Sequence, residues 1–245
     1  MAEGRLRVAI ARVTDRPGAA GAAPDWMCAE ERQRWTTLRD AGRPAFVASR
    51  RLLRETLAEA TGLAADGWHV SAEAGVAPVA SRPDLARYAA PPISIAHRLD
   101  RVAVAVGAAG GGAIGVDIEC DGVSRADLSE RAALVMPRAE LARWQALNAD
   151  ERAPALMRAW VAREAWFKAA GAGAPWDFRR LECAACAPAH ANVRLWEAGA
   201  VWVALCAHDA PALAAARCEG WPARPPVRIS SWRVCALAAG EDAAG

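Results

Sequence analysis

Two short stretches of this sequence carry residue types able to do chemistry. The first is G-V-D-I-E, residues 115–119. Read as a strand, its side chains alternate sides, so Asp117 and Glu119 point the same way and Ile118 points to the opposite face. Two carboxylates on one face repel each other unless a cation or a proton lies between them, and hard oxygen donors of this kind suit Mg²⁺. A solvated strand edge bearing two unrelated acids is the plain alternative. The second stretch is W-V-A-R-E-A-W-F-K-A-A-G, residues 160–171. On a helix turning about 100° per residue with Trp160 at zero, Phe167 falls near −20°, Gly171 near +20°, Glu164 near +40°, Lys168 near +80° and Val161 near +100°. The apolar arc therefore includes Glu164 and Lys168, whereas Arg163 and Trp166 lie outside it. A carboxylate and an ammonium on an apolar face are expensive to bury unpaired. Exposed, they would form an i,i+4 pair worth only a few tenths of a kcal/mol. Three carboxylates and a lysine around one cavity suit Mg²⁺ and a chain of phosphates. Lys168 is also the only lysine among the 30 Lys and Arg residues.

These residues need elements to hold them. R-L-R-V-A-I-A-R-V alternates and predicts a strand from Leu6 to Val13. Asp25 can cap a helix running toward Asp40, and a second helix, Ala45 to Thr61, stops at Gly62. P-I-S-I-A-H and R-V-A-V-A-V-G predict two strands around a turn at Leu99-Asp100. G-A-A-G-G-G has linker composition, and I-G-V-D-I-E is a further strand. Helices are predicted near Arg125 to Val135, Arg138 to Leu147 and Ala153 to Ala170. Two strands, Val193 to Trp196 and Val201 to Cys206, flank an E-A-G-A turn, and Val227 to Leu237 adds a last one. Strand, helices and strand hairpin recur on both sides of the glycine linker, which predicts an α+β protein of two similar halves, residues 1–112 and 113–245.

Composition narrows the function classes. With 54% hydrophobic and 24% charged residues the 245-residue chain reads as a globular protein. A net charge of +2 offers no case for nucleic acid. M-A-E-G-R-L-R lacks the apolar core of a signal peptide, and residues 102–118 are too short and glycine-rich to span a membrane. Seven scattered cysteines argue against a disulfide framework, so the chain reads as cytoplasmic. The lone lysine excludes a P-loop. G-A-A-G-G-G-A-I-G precedes a strand rather than a helix and is out of register for a dinucleotide site. Cys183-Ala-Ala-Cys186 lacks a second pair, which favours structural thiols over zinc. Ser94 and His97 have no nucleophile elbow G-x-S-x-G to serve.

G-V-D-I-E followed some forty residues later by W-x-x-[KR]-E-x-x-x-K-x-x-G resembles the surfactin-synthetase-type branch of the 4'-phosphopantetheinyl transferases. The second block stands here as Trp160, Arg163, Glu164, Lys168 and Gly171. The resemblance covers roughly residues 30 to 210 and implies two pseudo-symmetric α+β halves in one monomeric chain. It implies transfer of the phosphopantetheine arm of coenzyme A to a serine of an acyl or peptidyl carrier protein, as in polyketide or nonribosomal peptide biosynthesis, with release of 3',5'-ADP. By the same resemblance Asp117, Glu119 and Glu164 match the magnesium ligands, and Lys168 a lysine that contacts the coenzyme A phosphates. His97 matches a histidine on the 3'-phosphate. Arg43 and Arg50, in R-P-A-F-V-A-S-R-R-L-L-R, match a basic helix that contributes to coenzyme binding. Glu140, in M-P-R-A-E-L, matches a glutamate that helps deprotonate the acceptor serine. The chain departs from the family where Gly75-Val76-Ala77-Pro78 replaces a G-K-P turn and where Ala96 replaces a serine before the histidine. Two other readings differ in class. A non-catalytic carrier-binding module of the same fold would have lost a metal ligand. A Mg²⁺-dependent nuclease would show a basic surface with excess charge.

Overall fold

The computed structural model describes residues 6–15, 22–85, 88–120, 127–171, 174, 176–221 and 225–237. They form an α+β fold with two larger sheets and one two-stranded hairpin. Strand β1 (Arg7–Arg12) is followed by α1 (Ala29–Thr37), α2 (Arg43–Thr61), the short hairpin β2 (His69–Val70) and β3 (Ala80–Ser81), and then β4 (Ile93–Arg98) and β5 (Arg101–Val106). After the glycine-rich connection come β6 (Ile114–Cys120), α3 (Leu128–Val135), α4 (Arg138–Gln145) and the long α5 (Ala149–Ala170). Then follow β7 (Leu181–Ala185), β8 (Val193–Ala198), β9 (Val201–Ala207), α6 (Ala210–Ala215), β10 (Arg217–Glu219) and β11 (Arg228–Ala236).

The first sheet has the order β10-β1-β5-β4 and the second β6-β9-β8-β11-β7. Alternation along the strands sorts the core into layers. Val102, Val104 and Val106 of β5 pack under α2 with Leu53 and Leu57. Their neighbours Ala103 and Ala105 face inward, where they join Val8, Ile10, Val116, Ile118, Val203 and Leu205. Trp202, Ala204 and Cys206 of β9 face outward under α5, against Leu156, Ala162 and Ala165. The two sheets thus share one inner core, and each carries a long helix on its outer face. The connection between β4 and β5 turns on Leu99, whose φ of 53° is the positive value a tight turn demands.

Helix boundaries differ from the sequence expectation for local reasons. The helix expected from Asp25 starts at Ala29, because Glu31 Oε2 accepts from the Cys28 backbone N–H at 3.0 Å and so caps the first turn. α5 starts at Ala149, one turn ahead of the predicted Ala153. There the Glu151 carboxylate accepts from the Asn148 N–H at 3.3 Å, and Pro154 is carried inside the helix. The helix predicted from Arg125 is described from Leu128, and positions 125 and 126 lie outside the described residues. α2 ends as expected, with Gly62 at φ 73°. β7, α6, β10 and the β2–β3 hairpin were not expected. β10 pairs in parallel with β1, so the chain crosses back to its first sheet after completing most of the second.

Candidate functional site

The two sheets meet along a crease where β4 runs beside β6. The Val116 N–H donates to the Ser94 hydroxyl at 2.9 Å, and further along the Cys120 thiol donates to the Arg98 carbonyl at 3.9 Å. Because Val116 and Ile118 point into the inner core, Gly115, Asp117 and Glu119 point outward, toward α5. The glycine decides how close the helix can come. A Cβ at position 115 would lie 2.0 Å from the Ala165 carbonyl oxygen, 2.6 Å from the Ala169 nitrogen and 2.9 Å from Lys168 Cβ. Without a side chain at 115, the α5 backbone rests on β6 and brings Glu164 and Lys168 over the crease.

The acids of this crease sit in a poorly solvated place. Asp117 is 6% exposed. Its Oδ1 accepts from Lys168 Nζ at 2.6 Å, while its Oδ2 is buried with no hydrogen-bond partner. Burial pushes the Asp117 carboxyl above its ordinary pKa, and the Lys168 ammonium pulls it back. Glu119 is likewise raised by burial and opposed by Arg98, whose Nε stands 3.0 Å from Oε2 as an ion pair. Glu164 is pushed up to about 7, first by burial and then by the Asp117 charge, with Lys168 opposing. His97, at the exposed rim, is held below the usual imidazole range by desolvation and then by Lys168. Three carboxylates, a lysine, a histidine and an arginine therefore feel one another across the crease.

Among the described residues, no three His, Cys, Asp or Glu side chains stand grouped as a metal centre. At the crease, Lys168 holds Asp117, and Arg98 holds Glu119. The donor set nevertheless suits a hard divalent cation. All three acids are oxygen donors, they repel one another, and the buried Asp117 Oδ2 lacks the partner that a buried polar atom ordinarily has.

The other expected residues stand apart from these acids. Arg43 lies with its guanidinium 4.1 Å from the Trp35 ring centroid and Nη1 2.7 Å from Asp40 Oδ1. Arg50 is 8% exposed. It stacks 5.0 Å from the Phe46 ring, lies 3.9 Å from Glu31 Oε1, and leaves Nε and Nη1 without hydrogen-bond partners. Burial lowers its pKa to about 10. Glu140 on α4 accepts from Arg163 Nη2. Arg163, placed by helical angle outside the apolar arc of α5, is in fact fully buried. It is accommodated because its guanidinium also donates to the carbonyls of Ala159 at 3.1 Å and Leu181 at 2.9 Å, which the angular argument could not see. Cys183 is buried in β7, its thiol pushed up to about 12, and both it and Cys186 are free thiols. Arg98 is the residue that sequence reasoning missed. Its only signal was a charge at the end of the strand that also carries His97.

No curated protein matches the chain. Residues 113–220 match the family model of the 4'-phosphopantetheinyl transferase superfamily, and this stretch contains Asp117, Glu119, Glu164, Lys168 and Glu140. Through that segment, less than half of the chain, the protein is similar to the 4'-phosphopantetheinyl transferase superfamily.

Proposed function

We propose that the protein transfers the 4'-phosphopantetheine arm of coenzyme A to a serine of an acyl or peptidyl carrier protein, with release of 3',5'-ADP. The observation that carries this reading is the meeting of three mutually repelling acids and the one lysine on a poorly solvated crease inside the family-matched segment. Asp117, Glu119 and Glu164 would hold Mg²⁺, which supplies charge neutralisation for a pyrophosphate under attack. In the transfer, the serine oxygen forms a bond to the β-phosphorus, and the bond from that phosphorus to the oxygen of departing 3',5'-ADP breaks. Lys168, one helical turn beyond Glu164, would hold a phosphate oxygen beside the acids and stabilise the leaving charge. His97, exposed on the rim, would contact the 3'-phosphate. Arg43 and Arg50 would add cationic contacts from α2. Glu140 would take the serine proton, at the cost of its pair with Arg163.

On this reading residues 1–112 contribute the adenosine-end contacts and residues 113–245 the catalytic carboxylates. The working unit is a monomer in the cytoplasm, serving polyketide or nonribosomal peptide synthesis. No helix among the described residues is long and apolar enough to cross a membrane. The carrier would dock on the surface of α3 and α4 beside the crease. The test is mass spectrometry of carrier proteins incubated with the protein, coenzyme A and Mg²⁺. A gain of one phosphopantetheine on the serine is expected. No gain on any carrier, with carrier binding retained, would make the protein a non-catalytic binding module.

A further inference from the structure

Arg98 occupies an unfavourable position with a purpose-built neighbour. It is the last residue of β4 and lies directly opposite Arg101 across the β4–β5 hairpin. Like charges facing each other across a strand pair destabilise it. Glu119 offsets this by pairing with Arg98 at 3.0 Å. That pair has a twin one step away, Lys168 on Asp117 at 2.6 Å. In both, the cation is the more exposed member. The side chains of Arg98 and Lys168 are 41% and 25% exposed, against 15% and 8% for Glu119 and Asp117. In both pairs the acid is the member more withdrawn from solvent. A divalent cation held by these acids would compete with two monovalent side chains for them. The displaced charges would then stand beside the crease, where an anion is wanted.

We infer that Arg98 is a further phosphate-holding residue, seated on Glu119 in the free protein and released toward the phosphates of coenzyme A when a divalent cation takes Glu119. This rests on the transferase reading above. The guanidinium suits the task, because its planar fork can hold two phosphate oxygens at once. The consequence is a coupling in which the divalent cation prepares the anion site and the anion favours the cation by the same factor. A salt bridge that merely steadied the crease would show no such coupling.

The experiment is calorimetric titration of the full chain, first with Mg²⁺ alone and then with coenzyme A in the presence and absence of Mg²⁺. The variants are Arg98→Gln, Arg98→Lys and Arg131→Gln, the last removing a charge that reaches Glu119 from α3. Arg98→Gln should bind Mg²⁺ about fivefold tighter than wild type when coenzyme A is absent, because the competitor is gone. It should also lose about fivefold or more of the gain that Mg²⁺ brings to coenzyme A affinity. Arg98→Lys should keep most of that gain, and it decides the matter should the Gln variant fold poorly. Arg131→Gln should stay within about twofold of wild type in both measurements. Three results overturn the inference: wild-type Mg²⁺ affinity in Arg98→Gln, an equal shift in Arg131→Gln, or an unchanged gain from Mg²⁺ while coenzyme A still binds. If wild type binds no coenzyme A at all, the transferase reading falls, and the inference with it.

Discussion

Gly115→Ala is the sharpest single test of how this crease is built. The added methyl would lie 2.0 Å from the Ala165 carbonyl oxygen and 2.6 Å from the Ala169 nitrogen, both backbone atoms that cannot rotate away. Reaching the 3.4 Å at which ordinary contact begins requires α5 and β6 to part locally by roughly 1.4 Å. Overpacking of this kind costs about 1–3 kcal/mol. For a chain of this size that lowers Tm by roughly 2–12 °C. The larger effect falls on the chemistry. Glu164 and Lys168 ride on the displaced helix while Asp117 and Glu119 stay with the strand, and a misplacement of about 1 Å near a reacting centre costs on the order of 10²-fold in rate. The assay pairs thermal melting with kcat for coenzyme A-dependent modification of a carrier protein. The control is Gly112→Ala, where the added methyl meets nothing within 4 Å. Wild-type Tm and wild-type kcat in Gly115→Ala would refute the reasoning. A large Tm loss with kcat intact would show that the helix–strand spacing does not set the chemistry.

Further outcomes are expected around the same site and away from it. Asp117→Ala and Glu164→Ala should each lower transfer by about 10²-fold or more in Mg²⁺ while circular dichroism stays native, as expected for ligands of a phosphate-bound cation. Near-normal turnover in either would dismiss the metal assignment. Lys168→Arg should keep the fold and much of the coenzyme A affinity but reduce kcat strongly, because a broad planar fork replaces a compact charge beside the acids. Turnover equal to wild type would make Lys168 an ordinary member of the helix face. Away from the crease, Arg158 donates to Glu197 at 2.6 and 3.0 Å and holds that carboxyl below its ordinary value of 4.5. A depressed folded pKa contributes stability that is present above the unfolded pKa and is lost as pH falls through the folded one. Thermal melting from pH 6 to 3 should therefore show a shallower acid decline in Glu197→Gln than in wild type, and parallel curves would refute the linkage.

The strands that build the crease were legible because their signals are local. Alternation in R-V-A-V-A-V and I-G-V-D-I-E, with turn residues between hydrophobic runs, needs no knowledge of the rest of the chain. The acids and Lys168 were legible for a related reason: strand and helix periodicity place them on defined faces. What escaped depends on neighbours distant in sequence. Strands β7 and β10 exist because β11 and β1 present an edge to them. Arg163 reads as a solvent residue until the carbonyl of Leu181 is known to lie beneath it. The Arg98–Glu119 pair depends on β4 lying beside β6, a neighbour relation that no periodicity encodes. Gly115 was visible as a letter in a motif, but its reason, the approach of Ala165, belongs to the packed molecule.

The pairing of β10 with β1 has a consequence for how this protein comes into being. Arg7 has Arg217 as its register partner, and the two lie far apart in sequence. Gly220 lies so close to β1 that a Cβ there would come within 2.0 Å of the Ile10 carbonyl oxygen. During synthesis, then, β1 waits with one edge uncovered until β10 has followed it. Contacts of such sequence separation slow folding, and an open edge meanwhile invites pairing with other chains. A nascent chain cut short before residue 217 keeps all the acids of the crease yet leaves its first sheet unfinished.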